Sequence, residues 1–177
     1  MILTSGQPSA AVSLPRAYFI TFSCYGARLH GDASGSVDRN HNQFETPYLP
    51  PNTKRVQSHR KRMNQPPYEL DRRRRDFVLK AMQEVCSYRG WVLLAAHMRT
   101  NHVHVVVEAL ASPERVMNDF KGLASRKLNE QGIDTPHRQR WARHGSTRYL
   151  WKPEQVDAAI HYVVYGQGEP MAVFVKK

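Results

Sequence analysis

The chain has 177 residues, 41% of them hydrophobic, and a formal charge of +11 at pH 7. That length suits one well-packed domain, and a mean hydropathy of −0.60 with no run near the roughly 20 apolar residues of a bilayer helix excludes a membrane span. The excess of Lys and Arg, with a pI near 10.0, points to nucleic acid as the partner.

Residues 1–14 are small and polar and lack a basic n-region, so a disordered lead-in is expected rather than a signal peptide. Residues 17–25, Ala-Tyr-Phe-Ile-Thr-Phe-Ser-Cys-Tyr, are aromatic and β-branched and predict a first strand. A long irregular insert is expected over about 31–68, rich in glycine, asparagine and paired prolines. Phe77, Val78, Ala81, Met82 and Val85 then set a helical period over 69–89, and Gly90 suits the position just past its end. Arg72, Arg73, Arg74 and Arg75 fall in its first turns, where cations oppose the helix dipole. That placement suggests phosphate contact as their use.

Residues 91–98 predict a second strand, and 99–101 leave only a tight turn before a third strand beginning at His102. Ser112 and Pro113 mark a helix start, Val116, Phe120, Leu123, Ala124 and Leu128 form its apolar stripe, and Gly132 ends it. Residues 145–151 predict a fourth strand. Pro153 opens a last helix that runs to about Tyr165, before Gly166 and Gly168 break it. The order β-α-β-β-α-β with an appended helix implies an α+β, ferredoxin-like antiparallel sheet with helices on one face, in a single domain over 15–177. Cys24 and Cys86 sit in apolar segments, a reducing-compartment pattern rather than a disulfide framework. A cytoplasmic, nucleoid-associated protein is expected.

The chemistry concentrates in Asn101-His102-Val103-His104. Strand side chains alternate, so His102 and His104 share a face while Val103 and Val105 take the other. Two neutral imidazoles on a rigid element make half of a divalent-metal site. One packed and one exposed histidine is the plain alternative. On the last helix, with Val156 as origin, Ile160 and Val163 fall within about 40° and form the buried stripe. Tyr162 falls about 120° away, on the flank of that stripe, and Tyr165 faces solvent.

With these residues in place the chain resembles the single-tyrosine HUH transposases, which include small insertion-sequence and REP-associated tyrosine transposases. The likeness covers about residues 18–171. It rests on Asn101-His102-Val103-His104, on the helix with Lys121-Gly122-Leu123-Ala124-Ser125-Arg126, on the aromatic strand ending at Trp151 and on His161-Tyr162-Val163-Val164. The resemblance implies metal-dependent cleavage and rejoining of single-stranded or hairpin DNA, a DNA-nicking transesterase reaction with a 5′-phosphotyrosine intermediate. By it, Tyr162 is the nucleophile, and His102 and His104 hold Mg²⁺ or Mn²⁺. The clustering of basic residues suggests DNA contacts by Arg72 to Arg75, Lys121, Arg126 and Lys127, and the resemblance admits a homodimer.

One departure stands out. Relatives place a third ligand, Gln or Asn, four residues after the tyrosine, where this chain has Gly166. Gln167 is the nearest amide, but a continuing helix would rotate it about 140° from Tyr162. It returns only if the helix breaks at Gly166. Otherwise water fills that position, or the chain is a weakened or domesticated single-strand-binding protein of the same fold. Histidine-triad chemistry is disfavoured because position 106 is Val, while zinc held with the help of His97 or His161 stays open.

Overall fold

The computed structural model describes residues 14–29, 31 and 51–177. Most of the expected lead-in and half of the 31–68 insert, residues 32–50, lie outside the described residues. Strand β1 (Ala17–Cys24) is followed by helices α1 (Thr53–Lys61) and α2 (Arg72–Arg89), then strands β2 (Val92–Met98) and β3 (His102–Glu108). Helix α3 (Pro113–Glu130), strand β4 (Trp141–Leu150), helix α4 (Pro153–Tyr165) and strand β5 (Ala172–Val175) complete the chain.

All strand pairs are antiparallel, in the order β4-β1-β3-β2-β5, so β3 is central. Alternation along the strands divides the core in two. Tyr18, Ile20 and Phe22 of β1 and Val103, Val105 and Val107 of β3 pack with Val78, Met82 and Val85 of α2 and Val116, Phe120 and Leu128 of α3. Ala17, Ala95, Val106 and Leu150 instead meet Ala159 and Val163 of α4 on the opposite face. The expected sheet, with two helices on one face and the tyrosine helix appended, is present.

Local chemistry explains where the elements begin and end. Helix α2 starts at Arg72 rather than 69 because the Asp71 carboxylate accepts from the Arg74 amide as the cap. That anion offsets the arginine run that follows. The preceding residues are instead tied in extended form, Tyr68 N–H to Tyr25 O at 2.9 Å and Leu70 N–H to Thr100 O at 2.7 Å. Gly90, at φ 67°, closes the helix in the left-handed conformation. Ser112 caps α3 as expected.

Strand β4 begins at Trp141 rather than at 145, and two elements are additional to those expected. Residues 53–61, expected to be irregular, form α1, capped by Asn52 and burying no residue. With Val56 as its one aliphatic side chain, this helix offers no apolar period to read. Strand β5 was not expected either; its four residues add to β2 through pairs such as His97 with Val173.

An ion cluster fastens the loops around α2 and α3. Asp134 accepts from Arg74, Arg140 and the Tyr68 hydroxyl. Burial works against its charge, but bonds from Arg74, Tyr68 and Arg140 hold the carboxyl below its ordinary value. Arg138 donates to the carbonyls of Pro66 and Pro67. Burial pushes the thiols of Cys24 and Cys86 up to about 12, so both stay protonated. Among the described residues no helix is long and apolar enough to cross a membrane. Replacing Asp134 with Ala strands the buried Arg140 guanidinium, and a loss of about 3–5 kcal/mol is expected in urea unfolding. A loss under about 1 kcal/mol contradicts this role.

Candidate active site

Strand β3 turns His102 and His104 toward the face that α4 covers, and their rings lie 4.7 Å apart between centroids. Each is oriented by a neighbour. The His104 Nδ1 lies 2.7 Å from the Thr21 hydroxyl on the paired strand β1. The His102 Nδ1 donates to the Asn101 side-chain oxygen at 2.7 Å. Fixing one ring nitrogen leaves Nε2 of each ring for a further partner, the arrangement seen around metal-binding histidines.

Burial sets the charge state of the pair. His102 is pushed down to about 4 by burial, then by the positive charges of Arg28 and Arg99. His104 is pushed down to about 3 by burial and by the neighbouring His102 and His97. Both imidazoles are therefore neutral at pH 7, with lone pairs to offer.

Helix α4 brings the tyrosine across this face. The Tyr162 ring sits 5.8 Å from His104 and 5.9 Å from Phe19, edge-on to both. At 46% exposed it is held on one side and open to solvent on the other. Tyr165 is 70% exposed and stacks at a tilt on His161, 5.1 Å away. The flank and solvent positions expected from helical geometry are thus those observed.

Gln167 joins the group because the helix stops first. Gly166 caps α4, its N–H bonded to Tyr162 O at 2.9 Å. Beyond that cap, the Gln167 side chain lies beside both His102 and His104, close enough to act on the charge state of each, and its Nε2 reaches Tyr162 O at 3.4 Å. The rotation of a continuous helix does not apply. A Cβ at 166 would meet Tyr162 O at 2.8 Å and the tyrosine ring at 2.9 Å, so the position has no room for a side chain.

His97 is not part of this group. It is fully buried, its Nδ1 donating to Val163 O at 2.9 Å and its Nε2 accepting from Met171 N–H at 3.2 Å. With both nitrogens engaged it has no lone pair for zinc, and His161 lies beside Tyr165. Among the described residues no three His, Cys, Asp or Glu side chains gather for a metal ion. The available donor set is two imidazoles and the Gln167 amide. Such nitrogen and amide donors fit a divalent cation that keeps further positions for water or phosphate.

The basic residues singled out from sequence divide. Arg72, Arg73 and Arg126 are exposed. Arg74 is paired with Asp71 and Asp134, Arg75 donates to Leu70 O, and Lys127 is bridged to Glu84. Lys121 turns inward and is corrected as a phosphate contact: its ammonium is buried and donates to Ala142 O and His144 O. Burial pushes it down to about 8. All seven belong to α2 and α3, which cover the face away from the histidines. The cations whose field reaches His102 are Arg28 and Arg99. Sequence reasoning missed them because they are single arginines in turns, outside any cluster.

The chain also has measurable likenesses. A family model described as "Transposase IS200 like" matches residues 61–154, more than half of the chain, including both histidines and ending short of Tyr162. No curated protein matches. Among solved structures, the chain is similar to a REP-associated tyrosine transposase bound to a REP hairpin, at 9% identity and TM-score 0.47, over 92% of this chain and 72% of that one. It is also similar to a putative transposase from Deinococcus radiodurans R1, at 13% identity and TM-score 0.43, over 93% of this chain and 98% of the other. On the family match, the chain belongs to the IS200-like transposases.

Proposed function

We propose that the protein cuts and rejoins single-stranded DNA through Tyr162, with His102, His104 and Gln167 holding Mg²⁺ or Mn²⁺ against the scissile phosphate. The observation that carries this reading is the meeting of all four side chains on one covered sheet face. All four come from one chain, so the reading needs no second copy.

A bound divalent ion supplies Lewis acidity, polarising a phosphoryl oxygen and orienting the ester. The Tyr162 hydroxyl gives up its proton and attacks phosphorus, forming the O–P bond as the P–O3′ bond breaks. The departing 3′ oxygen takes a proton and leaves as a 3′-OH. The 5′-phosphotyrosine conserves the ester, so a 3′-OH can reverse the step without a nucleotide cofactor. Half-exposure suits this role, because the hydroxyl must reach both the site and an incoming strand. Arg28 and Arg99 add positive charge beside His102 for the phosphodiester backbone. The extended segment before α2 is tied to the turn before His102 by the bond from Leu70 N–H to Thr100 O. The substrate class is therefore single-stranded or hairpin DNA, read first through its backbone.

The test uses Mn²⁺ and labelled single-stranded DNA hairpins drawn from the flanks of the coding gene, resolved on denaturing gels. A covalent adduct is expected from the parent and from Tyr165→Phe, and none from Tyr162→Phe. Salt-sensitive binding without an adduct on any hairpin would overturn the enzymatic reading in favour of a binding-only protein.

Acid provides a second check. Protons compete with metal for the imidazoles, but the folded histidines resist protonation until about pH 4 and about pH 3. Mn²⁺ affinity, followed by calorimetry, is expected to stay level from about pH 7 to pH 5 and to fall near pH 4. The metal-free protein behaves differently. Its unfolded histidines bind protons from about pH 6.5 downward while the folded ones do not. The unfolded state then holds more protons, so stability declines as pH falls through that window. Metal affinity that already drops tenfold between pH 7 and pH 6 contradicts the assignment.

A further inference from the structure

We propose that His97 is a positioning residue for this chemistry: its buried imidazole fastens both ends of the 163–171 segment to β2 and so sets Tyr162 and Gln167 over His102 and His104. The inference rests on the reading of Tyr162 and Gln167 given above. Its basis is geometric. His97 is 0% exposed and lies directly opposite His104 in the β2–β3 pairing. Its Nδ1–H donates to Val163 O at 2.9 Å, and its Nε2 accepts from Met171 N–H at 3.2 Å.

Those two backbone groups bracket the residues that matter. Val163 follows Tyr162 directly, and its carbonyl is among the last four of α4, which have no partner within the helix. Met171 leads into β5, whose Ala172 pairs with Met98. Gln167 lies between the two anchors. Arg99 adds a third hold, donating to Glu169 O and approaching His97 Nε2 at 3.5 Å. A neutral imidazole is suited to this place because it donates at one nitrogen and accepts at the other across a rigid ring. A phenyl ring fills a similar volume and can do neither. A carboxamide can do both only through one end, so it recovers one anchor.

The inference predicts a separation of effects. His97→Phe is expected to lower single-turnover adduct formation about 100-fold, with hairpin affinity within about twofold of the parent because DNA contacts are unaltered. Mn²⁺ affinity should weaken about tenfold as Gln167 loses its place. Amide hydrogen exchange should rise across 163–171 and stay unchanged in β1 and α3. His97→Asn, which can still donate toward Val163 O, should recover about tenfold of the lost rate. It also serves as the readable variant if His97→Phe does not fold.

Adduct formation within twofold of the parent, or unaltered exchange across 163–171, overturns the inference. So does a rate loss matched by an equal loss of hairpin affinity. If the parent itself gives no adduct, the reading of Tyr162 fails instead. In that case exchange across 163–171 and Mn²⁺ affinity decide the place of His97, since neither depends on cleavage.

Discussion

Alternation along His102–Glu108 is the constraint on which the rest of the molecule depends. Val103, Val105 and Val107 are fully buried against α2 and α3, and His102 and His104, at the alternate positions, are thereby assigned to the other face. A slip of one residue would exchange the two sets, so the hydrophobic core and the candidate site fix each other's register. The central place of β3 extends this constraint: β1 on one side carries Thr21, which orients His104, and β2 on the other carries His97, paired with His104. Covering that face with α4 removes water from the pair, and the same burial that secures the strand keeps the imidazoles neutral. Packing and ligand chemistry are here one effect.

How much of this could be read in the sequence follows from the same physics. Elements with a buried face were legible: α2, α3 and α4 each carry a stripe at helical period, and β1 and β3 are β-branched or aromatic. Helix α1 has no buried residue and hence no stripe, and β5 is four residues long and exists through its pairing with β2. Within the site, His102, His104 and the flank position of Tyr162 follow from period alone. The partners that orient them do not. Thr21 meets His104 across 83 residues of sequence, and His97 reads as one more strand histidine until the carbonyl and amide it bridges are in view.

Charge shows the difference between amount and place. The net charge of +11 announces a polyanionic partner whatever the fold, but a guanidinium serves equally well as a loop fastener. Arg74, Arg138 and Arg140 bind Asp134 or the carbonyls of the 65–70 segment, and Lys121 holds two carbonyls of β4. Their long aliphatic stems suit such partly buried work. The runs that look most like a DNA surface in sequence are therefore partly structural. The cations that act on His102, Arg28 and Arg99, come from the turns at the strand ends.

On the proposed reading, geometry accommodates the departure at Gly166. A side chain at 166 and Tyr162 in its present position exclude each other, since a Cβ there would lie within 3 Å of the tyrosine carbonyl and ring. Glycine lets α4 end beneath the tyrosine, and the next residue then returns to the histidines, which a continuous helix would forbid. This transfers the proposed third-ligand role from a helical position to a turn. A ligand on a helix inherits the helix's rigidity, whereas one in a turn must be held by other means. The three holds on 163–171, two from His97 and one from Arg99, are what this chain has in place of that rigidity. The amide of Gln167 and the buried imidazole of His97 are on this account parts of a single arrangement, so the missing amide at 166 and the histidine absent from the site have the same explanation.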